Sequence, residues 1–150
     1  MPDIHIRRAQ TFDAGAMAAL LNAIIEKGGT TAFSAAVTGD ALRDWMARDG
    51  DIWHVAELDG EILGFQWIGP REKLPPEACD IATFVALGKH GLGVGSRLFE
   101  ATRAAARSDG YAWINATIMA YNEGGLAYYG SRGFEDWKHA DGRIWKRCPL

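Results

Sequence analysis

Three glycines at alternate positions, Gly91, Gly93 and Gly95, stand between an apolar run that ends near Leu87 and a helical pattern that begins at Val94. With no side chains in the way, several backbone N–H groups can converge on one anion, and the positive end of the helix adds to the attraction. Such a turn suits a phosphate or pyrophosphate; its other use is tight strand-to-helix packing. Two common cradles do not match. A dinucleotide fingerprint G-x-G-x-x-G begun at Gly91 meets Ser96, and begun at Gly93 meets Leu98. A nucleotide-triphosphate loop needs Lys followed by Ser or Thr, whereas Lys89 is followed by His90. Further along, Asn122, Gly125 and Tyr129 fall at i, i+3 and i+7, on one side of a helix. An amide, a bare patch and a phenol therefore face one groove. A phenol, with a pKa of about 10, stays protonated at neutral pH and can donate to a departing anion.

The run Gly88-Lys89-His90-Gly91-Leu92-Gly93-Val94-Gly95-Ser96 resembles the acetyl-CoA signature of the GCN5-related N-acetyltransferases, Q/R-x-x-G-x-G/A. His90 stands at the Gln/Arg position, a departure, and Gly93 and Gly95 stand at the two glycines. The run from Asn122 to Phe134 resembles the second signature of that family, N-x-x-A/S-x-x-x-Y/F-x-x-x-G-F, through Asn122, Gly125, Tyr129, Gly133 and Phe134. The resemblance implies an α/β fold with a mixed, mostly antiparallel sheet, splayed central strands and flanking helices. It also implies direct transfer of acetyl from acetyl-CoA, as co-substrate, to an amine, without a metal, in a protein that forms homodimers. Carried over residue by residue, it puts backbone contacts to the pantetheine arm at Phe84 and Val85. The pyrophosphate falls on Gly91, Leu92, Gly93, Val94, Gly95 and Ser96 beside His90, and Asn122 on the far side of the arm. Tyr129 is the expected catalytic acid at the sulfur, and Tyr128 the core aromatic next to it. Oxyanion charge on the acyl group falls to backbone N–H groups of a splayed strand.

The base that takes the amine proton has no single signature. Asp80 lies close to where some relatives carry a catalytic Glu, but the expected register gives that place to Cys79. His54 and Glu26 are further candidates, and water is another. For the acceptor, Asn22-Ala23-Ile24-Ile25 followed by Thr30-Thr31-Ala32-Phe33, with Trp45 beyond, resembles the phosphinothricin and small amino-acid N-acetyltransferase branch. Thr31 and Phe33 of that stretch, Trp67 as a pocket wall, and Arg71 of the Pro-rich loop as a partner for a substrate carboxylate are the expected substrate-binding residues, with Thr30 and Lys73 as further donors. A free amino acid is the expected acceptor; a protein N-terminus or lysine, or a CoA-binding sensor without turnover, are the alternatives.

The elements that position these residues follow from periodicity and turn chemistry. Ile4–Arg7 alternates as a strand. Thr11 or Asp13 can cap a helix carrying Met17, Leu20, Leu21, Ile24 and Ile25, stopped by Gly28-Gly29. Asp40 can cap a second, with Leu42, Trp45 and Met46 on one face. Strands at Ile52–Leu58 and Ile62–Ile68 flank an Asp59-Gly60 turn. After a Pro-rich loop, Asp80–Leu87 is a fourth strand. Val94, Leu98, Ala101 and Ala105 line a helix ending at Asp109-Gly110. Trp113–Met119 is a central strand, Asn122–Arg132 a helix, and Phe134–His139 with Arg143–Arg147 a closing hairpin. Trp53, Trp67 and Trp113 read as core, with Trp67 placed to line a pocket.

The 150 residues, 48% apolar and 23% charged, suit one ordinary globular domain spanning 1–150. Sixteen Lys plus Arg against nineteen Asp plus Glu offer no general attraction to nucleic acid. Cys79 and Cys148 are too few and too distant for a zinc cluster and read as reduced thiols. The N-terminal run beginning Met1-Pro2 lacks a leader pattern, and the apolar stretch Ala16–Ile25 is too short to span a bilayer. The expectation is a soluble cytoplasmic domain with no membrane contact.

Overall fold

The computed structural model describes residues 3–150; Met1 and Pro2, where the leader reading begins, lie outside the described residues. Seven strands and four helices run in the order β1 (His5–Arg8), α1 (Ala14–Lys27), α2 (Gly39–Met46), β2 (Ile52–Leu58), β3 (Glu61–Gly69), β4 (Ala78–Val85), α3 (Val94–Ser108), β5 (Trp113–Met119), α4 (Glu123–Ser131), β6 (Glu135–Ala140) and β7 (Arg143–Pro149). The strands form one sheet in the order β1-β2-β3-β4-β5-β7-β6. Every neighbouring pair is antiparallel except β4 with β5.

Strand alternation divides the core between the two faces. On one face Trp53, Val55, Phe65 and Trp67 pack under Met17 and Leu21 of α1 and Leu42 of α2. On the other, Val94 and Leu98 of α3 meet Ala56 and Leu63, while Phe99 and Ala106 join Ile68, Ile81 and Ile114. The buried stripe of α3 is Val94, Leu98, Phe99, Thr102 and Ala106. The expected Ala101 and Ala105 are only half-buried beside it, Ala105 packing against the core margin, while Phe99 is buried; an aromatic ring removes far more surface from water than an alanine.

Two caps also differ from expectation. Thr38, not Asp40, caps α2, its Oγ1 accepting from the Ala41 N–H at 3.1 Å; Asp40 pairs with Arg43 at 2.6 Å instead. Asp13 is buried and takes both arms of the Arg7 guanidinium at 2.8 Å, so a 3-10 turn over Thr11–Asp13 leads into α1. Cys79 and Cys148 are free and buried. No helix among the described residues is long and apolar enough to cross a membrane.

Candidate active site

The parallel pair is where the sheet opens. β4 and β5 are in register only at Ala78–Trp113, Cys79–Ile114 and Asp80–Asn115, although both strands run several residues further. Beyond Asp80 the β5-facing side of β4 keeps backbone N–H and C=O groups with no strand partner. A cavity of about 550 Å³ fills the fork, walled by β4 from Asp80 to Val85, by Thr117 to Met119 of β5, by α4, and by the loop carrying Thr30 to Phe33. Such an open strand edge is suited to an extended, amide-bearing ligand.

Phe84, Val85, His90 and Asn122 line this cavity. The turn that follows His90 has Gly91 and Gly93 at φ of +86° and +82°, in the left-handed region that favours glycine, and both face open space. Gly93 immediately precedes α3 and exposes the N–H groups of its first turn. Gly95 has a different reason to be bare: a Cβ there would lie 2.7 Å from the Tyr128 ring. Val94 is buried in the core and offers only its backbone, and Leu92 is exposed. The Ser96 hydroxyl accepts from Arg132 Nη1 at 2.9 Å, which brings a guanidinium to the start of α3. Sequence reading missed Arg132, which lies within the second signature but outside its pattern positions.

Asn122, Gly125 and Tyr129 do share the cavity-facing side of α4. Asn122 is also the helix cap: its Oδ1 accepts from the Gly125 N–H at 3.0 Å, and a Cβ on Gly125 would lie 2.5 Å from its amide nitrogen. Its remaining polar capacity is the NH2 group. The tyrosines reverse the expected burial. Tyr129 is the buried one, packed edge-on to Phe134, and Tyr128 is half-buried against Gly95.

Their hydroxyls belong to one network. Tyr128 donates its single proton to the Gly95 carbonyl at 2.7 Å and accepts from Gln66 Nε2 at 3.1 Å. Gln66 gives its other amide hydrogen to Thr83 Oγ1 at 2.8 Å, and Thr83 lies 2.7 Å from the Tyr129 hydroxyl. With an acceptor site on Thr83 occupied by Gln66, Thr83 can donate to Tyr129, and the Tyr129 proton is then free to point elsewhere. Burial pushes both phenols above their ordinary pKa, so each is protonated across the neutral range.

The rest of the cavity wall is built from residues distant in sequence. Asn22 pins the loop after α1 through paired hydrogen bonds to the Val37 backbone, at 2.8 and 2.7 Å. Phe33 stacks on Trp45 and tilts against Phe84, while Trp67 lies flat on Trp53 at 4.1 Å, so the wall is aromatic. Thr31, Phe33, Trp67 and Arg71 all reach the cavity. Arg71, however, is paired through both arms with the fully buried Asp51 carboxylate, at 3.0 and 3.3 Å, so its charge is largely spent. Lys73 is exposed and does not line the cavity. Arg48 and Arg143 do, and neither is in an ion pair among the described residues. No local motif marks these two; only the fold brings each to the cavity wall.

Of the two neighbours Cys79 and Asp80, only Asp80 lines the cavity. Cys79 points into the core, where burial raises its thiol to about 12, and Asp80 is the residue that faces the cavity. Desolvation raises the Asp80 carboxyl above its ordinary pKa, against a hydrogen bond from Asn115. His54 shares the α3 and α4 face of the sheet with Gln66 but does not line the cavity, and burial lowers its pKa to about 4. Glu26 is exposed on α1 and does not line the cavity.

The fold has many solved counterparts. The chain superposes on a ribosomal-protein-alanine N-acetyltransferase from Brucella melitensis with a TM-score of 0.86 and 24% identity, over 97% of this chain and 99% of that one. The yncA protein of Salmonella typhimurium, solved with its cofactor acetyl-CoA, matches at 0.85 with 20% identity over 98% and 94%. A protein assigned as a phosphinothricin N-acetyltransferase matches at 0.81 with 22% identity over 97% and 96%. No curated protein matches the chain by sequence. At these identities the superpositions establish architecture. Membership rests on the sequence profile of the Acetyltransferase (GNAT) family, which matches residues 27–134 and so spans the glycine turn, the forked strands and α4. The chain belongs to the Acetyltransferase (GNAT) family.

Proposed function

We propose that the acceptor is a small molecule bearing a primary amine beside a carboxylate, an amino acid or a close analogue. The observation that carries this reading is the pair of arginines, Arg48 and Arg143, unengaged by acidic side chains at an aromatic-walled end of the cavity. An amino acid needs a cation or strong donors for its carboxylate and an apolar wall for its side chain. Arg48 and Arg143 supply the first and Phe33 and Trp67 the second, with the Thr30–Thr31 segment adding donors. Arg71, neutralised by Asp51, is assigned to positioning that end of the cavity rather than to charge.

Acetyl-CoA supplies a thioester carbonyl and a thiolate leaving group. The unpaired edge of β4 near Phe84 and Val85 suits its amide-bearing arm, and the N–H groups from Gly91 to Ser96, with His90 and Arg132 nearby, suit its phosphates. Alternation along β4 puts Asp80 on the sheet face that carries α1 and α2, whereas Thr83 meets Tyr129 on the face of α3 and α4. Base and acid thus flank the fork from opposite faces. Asp80 takes a proton from the attacking amine as the N–C bond forms. Tyr129 gives its proton to the sulfur as the C–S bond breaks, and Tyr128 cannot substitute because its proton is committed to Gly95. The proton that Asp80 gained leaves to solvent, and Tyr129 is reprotonated before the next turnover. Free N–H groups on β4 face charge developing on the acyl oxygen.

Free-thiol release with acetyl-CoA, over a panel of amino acids, their methyl esters, polyamines and peptides, tests this. Free amino acids should react best, esters much more slowly, and rates should rise between about pH 7 and 9 as more of the amine becomes neutral. Equal rates with esters or alkylamines would remove the carboxylate subsite, and preference for peptides would move the acceptor to a protein terminus.

A further inference from the structure

The point where β4 and β5 part is held by a short chain of hydrogen bonds that ends on an exposed edge strand. Asn115 on β5 stands opposite Asp80 on β4, and its amide Nδ2 donates to Asp80 Oδ1 at 2.9 Å and to Thr117 Oγ1 at 3.1 Å. Asn115 is 2% exposed, so its amide must find partners within the protein. Its Oδ1 accepts from the Trp137 indole at 2.9 Å. An indole N–H only donates, so the amide cannot be turned the other way: oxygen faces Trp137 and nitrogen faces Asp80. Trp137 comes from β6, two strands away across β7. A bulge there pairs Asp136 with Lys146 and Lys138 with Trp145, leaving Trp137 without a partner in the ladder. The indole is further fixed edge-on to Trp113 at 5.7 Å. Bulges of this kind re-aim side chains near functional sites.

We infer that Asn115 and Trp137 are positioning residues for Asp80, holding one carboxylate oxygen with an amide whose orientation the indole dictates. This rests on the reading of Asp80 as the base. The amide hydrogen bond favours the ionised carboxylate, the form that can take a proton, in a place where burial works against it. Other groups acting on Asp80 are Arg71 from the β3–β4 loop, its charge shared with Asp51, the Cys79 thiol on β4 and the Tyr129 phenol from α4; Arg48 and Arg143 line the same cavity. None of these contacts the Asn115 amide.

Trp137→Phe keeps the ring and removes only the donor, on a side chain that is 39% exposed, so the fold should tolerate it. Freed from the indole, the Asn115 amide can present its oxygen to Asp80, an arrangement only a protonated carboxyl satisfies. The Asp80 titration, followed by carboxyl 13C NMR, should move up by about one pH unit, a tenfold change in its protonation equilibrium. The acid limb of kcat, which reports groups in the bound complex, should move with it, while the rate above the limb stays within about twofold. Asn115→Leu should shift the titration the same way. A role in packing alone would lower thermal stability or the plateau rate without moving the titration. If Asp80→Asn abolishes the acid limb but the titration stays in place in Trp137→Phe, the inference is wrong and the base assignment stands. If Asp80→Asn keeps both rate and limb, the base assignment fails and takes the inference with it.

Discussion

The two ends of the forked cavity are built from different materials. The end formed by β4, the glycine turn and α4 offers mostly backbone: unpaired strand groups, N–H groups at the start of α3, and glycines at Gly91 and Gly93 that keep the approach open. The walls contributed by the α1–α2 loop, the α2–β2 loop, β3 and β7 offer side chains: Phe33, Arg48, Trp67 and Arg143, from four separate places in the chain. Recognition by backbone depends on conformation, so it needs particular residues at fixed spacing and leaves a readable pattern. Recognition by side chains depends on which groups the fold brings together, and the same arginines elsewhere would be ordinary surface charge.

The comparison predicts that damage to one end should leave the other intact. The largest effect is expected where the two ends meet. Tyr129→Phe should lower turnover by ten- to a thousandfold, as for a lost general acid, while CoA affinity measured by calorimetry changes little. An unchanged turnover with chemistry rate-limiting would show that the thiolate leaves without the phenol. Next comes the backbone end. Gly93→Asp puts a carboxylate before α3 and a Cβ at a φ of +82°, and should weaken CoA binding about a hundredfold. Its acceptor preference, measured at saturating acetyl-CoA, should be that of the parent protein. A changed preference would mean the ends are not separable.

At the side-chain end, Arg48→Ala or Arg143→Ala should raise the KM for an amino acid about tenfold, a charged hydrogen bond's worth. The CoA affinity should not move, and the methyl ester of the same amino acid should lose nothing. The smallest effect on turnover is expected from His54→Gln, a residue that does not line the cavity. His54 is buried neutral with its pKa lowered to about 4 from the ordinary 6.5, so the fold disfavours its charged form. Stability should therefore fall as pH drops from about 6.5 toward 4, by about 3 kcal/mol, and level off below. Chemical denaturation of His54→Gln across that range should show a shallower loss, with activity at pH 7 unchanged.

Much of the architecture was legible because local pattern and global fold agree. β2 and β5 follow their expected bounds, the Asp59-Gly60 hairpin forms, and Gly28 stops α1. The glycine turn and the shared face of Asn122, Gly125 and Tyr129 were equally plain, since turn geometry and helical spacing are properties of contiguous residues. What could not be read depended on partners far along the chain. A one-residue difference in register exchanges the two faces of a strand, and only the pairing of β4 with Gly69 on β3 and Asn115 on β5 turns Asp80 to the cavity and Cys79 to the core. The burial of Tyr129 rather than Tyr128 follows from how α4 seats against Gly95 and Phe134. Arg71 is silenced by Asp51, and Trp137 reaches Asn115 through a bulge that nothing in its own strand announces. The sequence by itself determined the elements, the family and the glycine-rich turn, because each is encoded within a few turns of chain. The tertiary structure decided which carboxylate and which arginines reach the cavity and which phenol is buried, because exposure and burial belong to a residue's neighbours in space.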